Sequence, residues 1–257
     1  MIIAAYNPKG GVGKTTTVVN VATVLARRGR PVLVVDLEAD MNASISLGVR
    51  PGEVRTSIAD VLLNRVPPSG AIRRVAGVDN LDLITGSPQL AHMDTALRNV
   101  RQPEQRLADA LKPLAGDYAA ILIDAPAGYS TVSLSVPLAA QELIVPLRAE
   151  YLGLESLARF LSWYRDRVAA RLTVARMTGI LLTMVDYRRQ ATREIVDIIR
   201  LHNPRGVFRT EIPQDPRAGE APSHGRPLVA YAPQARASKA YAQLTAELLR
   251  RTQQHDA

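Results

Sequence analysis

A chain of 257 residues with 47% hydrophobic content can bury one large α/β core, and no linker, internal repeat or low-complexity segment divides it. The absence of cysteine removes disulfides, thiolate metal sites and thiolate-held iron–sulfur clusters, and no uninterrupted apolar stretch of about 18 residues offers a membrane span. A formal charge of +8 points to a polyanionic partner.

Met1 leads straight into an apolar run, Ile2 to Tyr6, rather than into a charged leader, which predicts a buried first strand in a cytoplasmic protein. Next comes Pro8-Lys9-Gly10-Gly11-Val12-Gly13-Lys14-Thr15-Thr16-Thr17, then apolar residues at helical spacing (Val18, Val21, Ala22, Leu25, Ala26) as far as Gly29. A strand, a glycine turn and a helix start make a phosphate site. Gly10, Gly11 and Gly13 let consecutive backbone amides turn inward, Lys14 brings a cation toward a β/γ-phosphate, and Thr15 offers its hydroxyl to Mg²⁺. Pro8 stands where the strict Walker pattern has glycine, and Lys9 adds a second cation. The chain holds four lysines (Lys9, Lys14, Lys112, Lys239), and two of them fall in this loop, where the bulkier guanidinium is no substitute.

Arg30 to Asp36 reads as a second strand, its continuous apolar run suited to a parallel sheet covered on both faces. It runs into Asp36-Leu37-Glu38-Ala39-Asp40-Met41-Asn42, which gathers carboxylates at a strand's carboxyl end, where such sheets bind ligands. Between residues 50 and 117 no chemistry stands out: helices are expected over Thr56–Asn64 and Pro103–Leu114, a strand over Leu81–Ile84, and a loop at Pro67–Gly70. Tyr118 to Asp124 is an apolar strand ending in a carboxylate, the form of a Walker B segment, with Asp124 placed to hold Mg²⁺ through water. Leu143–Leu147 is another buried strand, and a helix opens at Glu150-Tyr151 and runs to about Arg171. Thr178–Met184 and Val207–Ile212 complete the strands. Between them a helix reaches His202 and sets Arg189, Arg193 and Arg200 within about 40° of one another, an outward stripe opposite Ile195, Ile198 and Ile199. A last helix, about Pro233 to Arg251, places Tyr241, Leu244 and Leu248 at core spacing.

Pro-Lys-Gly-Gly-Val-Gly-Lys-Thr-Thr resembles the deviant Walker A box of the ParA/MinD ATPases. Asp36 and Asn42 match that family's second acidic motif, with Glu38 where the family has its water-positioning Asp and Asp40 in place of Gln. Glu150-Tyr151-Leu152-Gly153-Leu154-Glu155 is similar to a further family segment. Ile212-Pro213-Gln214-Asp215-Pro216-Arg217 and the following Glu220-Ala221-Pro222-Ser223-His224-Gly225 resemble the stretch with which Soj-type ParA proteins close the nucleotide pocket; Gln214 stands where Arg is common. There is no helix-turn-helix ahead of the phosphate loop, and the last residues offer none of the bulky apolar side chains of a MinD membrane anchor.

The pattern of elements implies an α/β fold: a doubly wound, mostly parallel sheet of about seven or eight strands with helices on both faces, forming a single domain over residues 1–251 and a polar tail over 252–257. The resemblance implies a slow ATPase that uses ATP and Mg²⁺ and forms an ATP-dependent homodimer through Lys9. Its nucleotide-binding residues are Lys9, Gly10, Gly11, Val12, Gly13, Lys14, Thr15, Thr16 and Pro213, and its metal-site residues are Thr15, Asp36 and Asp124. Lys9, Lys14 and Glu38 serve hydrolysis, with Asp40 the alternative to Glu38. It implies nonspecific binding of nucleoid DNA, release by a ParB-type partner, no membrane, and chromosome or plasmid segregation as the work. Residues 188–251 carry 12 Arg or Lys against 6 Asp or Glu, and the DNA candidates are Arg188, Arg189, Arg193, Arg200, Arg217, Arg226, Arg236, Lys239 and Arg250. The alternatives are positioning of a protein cargo through an adaptor, a MinD-like membrane regulator, and a metabolic P-loop enzyme.

Overall fold

The computed structural model describes residues 1–170 and 173–253. Its strands are β1 (Ile2–Ala5), β2 (Val32–Asp36), β3 (Ile72–Arg74), β4 (Leu81–Ile84), β5 (Ala120–Asp124), β6 (Glu142–Arg148) and β7 (Arg176–Thr183). Its helices are α1 (Lys14–Arg27), α2 (Asn42–Ser46), α3 (Ile58–Leu62), α4 (Met93–Ala96), α5 (Arg106–Leu111), α6 (Thr131–Ala139), α7 (Tyr151–Ala169), α8 (Gln190–His202), α9 (Arg217–Glu220), α10 (Leu228–Tyr231) and α11 (Arg236–Gln253). One sheet runs β3-β4-β2-β5-β1-β6-β7, parallel except for β3, which pairs antiparallel with β4. The centre is fully buried: β1, β2 and β5 consist of Ile, Ala, Val and Leu ending in Asp36 and Asp124, the composition expected of strands covered on both faces.

Alternate side chains of each strand feed two cores. On one face Ile58, Leu107, Val136, Phe160 and Val196 pack against Leu33, Ile121 and Val145; on the other Val21, Leu25, Tyr241 and Leu244 pack against Val34, Leu122 and Ile144. The latter face explains the core spacing of Tyr241, Leu244 and Leu248, all at most 2% exposed. β1 is flanked by β5 and β6, so successive crossovers leave it in opposite directions, and the crevice at its carboxyl end is the topological switch point.

Several elements differ from the sequence reading. Val207–Ile212 forms no eighth strand; it meets the sheet at isolated parallel bridges, Ile180 with Val207 and Val185 with Pro213, and through the Ile212 amide, which donates to Leu182 O at 2.9 Å. The cause is α11. Glu247 accepts the amides of Arg209 (2.8 Å) and Thr210 (2.9 Å), and Arg251 donates to the carbonyls of Thr178 (3.1 Å) and Val207 (2.6 Å) while lying over Phe208, so side chains of one helix take groups a ladder would use. α6 has no amphipathic signature because Val132, Ser133, Ser135, Val136, Pro137 and Ala139 are all buried. α11 runs to Gln253, past the expected 251, with Thr252 buried; the rest of the polar tail, and Arg171 at the expected end of α7, lie outside the described residues.

Candidate nucleotide site

Between β1 and α1 the chain wraps a short loop. Gly11 (φ 70°) and Gly13 (φ 89°) adopt left-handed backbone, which directs neighbouring amides toward one point. Gly13 precedes α1 and has no side chain to cap it, leaving the first-turn amides and the positive end of a 14-residue helix to an anion. Residues outside the motif hold the loop in place. Asn7, fully buried, accepts the Lys9 amide at 2.9 Å and donates to Pro146 O at 2.8 Å, while Thr183 at the end of β7 donates to Val12 O at 2.9 Å.

The two lysines of the loop are treated differently. Lys14 is 5% exposed and its Nζ donates to Lys9 O at 3.2 Å; burial pushes its pKa down, against the pull of Glu38 and Asp124. Lys9 turns toward the start of α7, where its Nζ lies 3.0 Å from Glu150, whose other oxygen is 3.4 Å from Arg148.

Parallel pairing sets Asp36 opposite Asp124 at the ends of β2 and β5, next to the end of β1. Asp36 is already committed: it accepts the Glu38 amide (3.0 Å), the Ser44 amide (2.8 Å) and the Ser44 hydroxyl (2.7 Å), which ties down the acidic turn. Asp124 is fully buried and neither oxygen accepts a hydrogen bond of ordinary geometry. Burial first, then the charge of Asp36, pushes its pKa well up, opposed by the Thr15 hydroxyl and Lys14. A desolvated carboxylate without a donor fits a hydrated cation, so Thr15 and Asp124 are the fitting pair and Asp36 the support behind them. Among the described residues no cluster of three or more His, Asp or Glu has metal-holding geometry, so a cation here would be completed by a bound phosphate.

Glu38 is half-buried and faces Lys14; burial raises its pKa and Lys14 opposes the rise. Asp40 is exposed. Gly86, which the sequence reading passed over, lies against this turn: a Cβ there would sit 2.4 Å from Glu38 O and 3.1 Å from the Asp36 carboxyl carbon. Met41 (φ 58°) and Met184 (φ 52°), both bulky residues in left-handed backbone, flank the crevice, strain of the kind that gathers at ligand sites.

Residues 1–173 match the AAA domain family AAA_31. Over 96% of this chain and 97% of its own, the sporulation initiation inhibitor protein Soj of Bacillus subtilis is 34% identical. The chain belongs to the Soj/ParA family. The chromosome partitioning protein ParA of Myxococcus xanthus is 35% identical over 97% of this chain and 88% of its own length. Among solved structures, one titled cobyrinic acid a,c-diamide synthase from Mycobacterium smegmatis with bound ADP and magnesium superposes with a TM-score of 0.84 at 29% identity, covering 98% of this chain and 95% of that one.

Around the phosphate loop of this Soj/ParA-family chain, Thr16 and Pro213 line a cavity of about 370 Å³ with Gly13, Thr183, Met184 and Tyr241, a volume suited to the rest of a nucleotide. The wall formed by Pro213, Gln214 and Pro216 separates it from an open groove of about 900 Å³ between the starts of α8 and α11, which brings together Arg188, Arg193, Arg236 and Lys239. Arg189 is exposed at the edge of α8, and Arg226 and Arg250 are exposed outside the groove lining. The arginine stripe is not uniform. Arg200 folds back onto Glu211 (2.6 Å) and Phe208 O (3.2 Å), and the face assigned to the core leaves Ile198 42% exposed. Arg188 grips Asp186 through two 2.8 Å bonds, which hold that carboxyl at about 2, and Arg217 grips Asp215 in the same way. Asn7, Ser44, Gly86 and Thr183 carry no signal in the sequence because each acts through one or two hydrogen bonds or one close approach, which leaves no periodic trace. No described helix is long and apolar enough to cross a membrane.

Proposed function

We propose that this protein is the ATPase of a DNA partition system: it binds ATP with Mg²⁺ at the loop from Lys9 to Thr16, pairs with a second copy, and in that state holds DNA without regard to sequence until a ParB-type partner speeds hydrolysis. The single observation that carries the reading is the division of labour between the lysines. Lys14 is buried beside Glu38 and Asp124, whereas Lys9 leaves its own loop for Glu150, which supports a role for Lys9 on the phosphates of a second copy. Thr15 and Asp124 would hold the Mg²⁺, which neutralises charge on the transferring phosphoryl group. The half-burial of Glu38 next to Lys14 supports Glu38 over the solvent-exposed Asp40 as the carboxylate that orients the attacking water. The groove at Arg188, Arg193, Arg236 and Lys239 supplies phosphate contacts, and dimerisation doubles them, so nucleotide state controls DNA affinity through valency. The protein would therefore reside on the nucleoid.

The name of the solved neighbour raises a metabolic amidation reading. A thiol-dependent amide transfer has no nucleophile in a chain without cysteine, and the Soj and ParA relatives share more of the sequence. The test is light scattering with ATP and Mg²⁺ against ADP, alongside binding of random-sequence duplex at ~50 and ~200 mM salt. Wild type is expected to dimerise and to bind DNA only with ATP, and Lys9→Ala to lose both while keeping nucleotide. A dimer indifferent to nucleotide and to Lys9→Ala would overturn the reading.

A further inference from the structure

Residues 88–94 belong to the stretch in which the sequence shows no chemistry, yet they border the catalytic turn. A cavity of about 220 Å³ is walled by Leu37, Glu38 and Ala39 on one side, Leu90, Ala91 and Asp94 on another, and Pro126, Ala127 and Ser130 on the third. The third wall is the loop joining β5 to α6, directly after Asp124. Its fastenings are few and specific. Gly128 N donates to Pro8 O at 2.9 Å, tying it to the phosphate loop. Ser130 Oγ caps α6 by accepting Ser133 N at 3.2 Å, and Ser133 Oγ donates back to Gly128 O at 2.8 Å. Two fastenings come from outside: the Tyr129 ring packs on Trp163 of α7 with centroids 5.6 Å apart, and Asp94 Oδ1 accepts the Thr131 amide at 2.7 Å, across 37 residues of chain. Thr131 N is a first-turn amide of a nine-residue helix, a group that needs an acceptor and gains from a negative one.

We propose that Asp94 is a positioning residue for hydrolysis: by holding Thr131 it fixes the 125–130 loop, and that loop fixes Glu38 against Lys14. The link from the loop to Glu38 is the cavity they share: Pro126, Ala127 and Ser130 wall it opposite Glu38, and the Ala127 Cβ also lies 4.0 Å from the place a Gly10 side chain would take. The hydrogen bond of Asp94 is to the Thr131 amide and not to Glu38, so its effect passes through the loop. Hydrogen-bonded support of this kind matters because a displacement of the order of 1 Å in a reacting group costs up to about a hundredfold in rate. This inference rests on Glu38 as the water-orienting group.

The test is a cycle of Glu38→Ala, Asp94→Ala, the double variant and Asp94→Asn, in full-length protein, read by single-turnover ATP hydrolysis, ATP affinity and amide hydrogen exchange of residues 127–131. Asp94→Ala is expected to slow hydrolysis about tenfold, to leave ATP affinity within about twofold, and to speed exchange at Thr131. Asp94→Asn keeps an acceptor oxygen and should recover most of the rate. In the double variant Asp94→Ala should add nothing to Glu38→Ala, because a residue acting through Glu38 has nothing left to position. Wild-type hydrolysis in Asp94→Ala, or a full further loss in the double variant, overturns the proposal. If Glu38→Ala itself hydrolyses normally, the assignment of Glu38 fails instead, whatever Asp94 does. Should Asp94→Ala fold poorly, Asp94→Asn and Asp94→Ser bracket the acceptor with milder changes, and a rate that follows acceptor strength supports the proposal while a flat series sinks it.

Discussion

The carboxyl edge of the sheet and the groove between α8 and α11 each gather several charged side chains, and they hold them in opposite ways. At the edge, Lys14, Asp36 and Asp124 are buried, and their charges face one another across a few ångströms of low-dielectric interior. In the groove, Arg188, Arg193, Arg236 and Lys239 stand in water, and one of them, Arg188, is already paired with a carboxylate of the same chain. Burial makes a charge costly alone and strong when matched, so edge residues act singly and by geometry. Solvent and salt weaken each groove charge, so those residues act by number. The first arrangement suits chemistry, the second the attraction of a polyanion.

Substitutions should separate the two kinds of site, starting with the largest effect. Lys14→Ala removes the buried cation of the phosphate loop and is expected to abolish measurable ATP binding by calorimetry, a loss beyond about a hundredfold; retention of near-normal affinity would place the phosphates elsewhere. In the groove, Arg193→Glu with Arg236→Glu should weaken DNA binding by about tenfold at low salt and flatten the slope of log K against log salt by about 0.9 per lost contact, without touching ATP-dependent dimerisation. The loss should be equal across DNA sequences, since phosphate contacts carry no base information.

A smaller effect comes from Asp124. Its folded pKa is raised, so between the unfolded value near 3.8 and the raised one the native state binds more protons. Stability of the ligand-free protein therefore falls as pH rises through that window, and above the folded pKa the whole penalty is present. Asp124→Asn removes the ionisation and should raise the melting temperature at pH 7.5 by about 3–6 °C while flattening its decline with pH; an unchanged or lower melting temperature would show that the carboxylate is not under strain. Smallest of all is Arg200→Ala. Because that guanidinium is spent on Glu211 and Phe208 O, DNA affinity should change by less than about twofold in the same salt titration, and a tenfold loss would return it to the DNA surface.

How much of this could be read from the residues follows the same divide. The phosphate loop, Asp36 and Asp124 were legible because a glycine turn between an apolar strand and a helix has few other uses. The arginines were legible as charge but not as geometry: α8 spacing grouped Arg200 with Arg189 and Arg193, and only the fold shows Glu211 waiting beside it. Val207–Ile212 has the composition of a strand and lost its ladder to side chains of α11 some 40 residues later, which no local pattern reports. Gly86 and Asp94 come from a stretch of short irregular elements, where a single close approach or a single capping bond does the positioning.

The same contacts of α11 bear on how copies of this chain meet. Glu247 and Arg251 occupy backbone groups along and beside β7, while the opposite border of the sheet is β3, three residues long, of which two are Arg73 and Arg74. Neither border offers a long bare row of amides and carbonyls for a second chain to extend. That guards against runaway strand exchange and fibre growth wherever many copies crowd together.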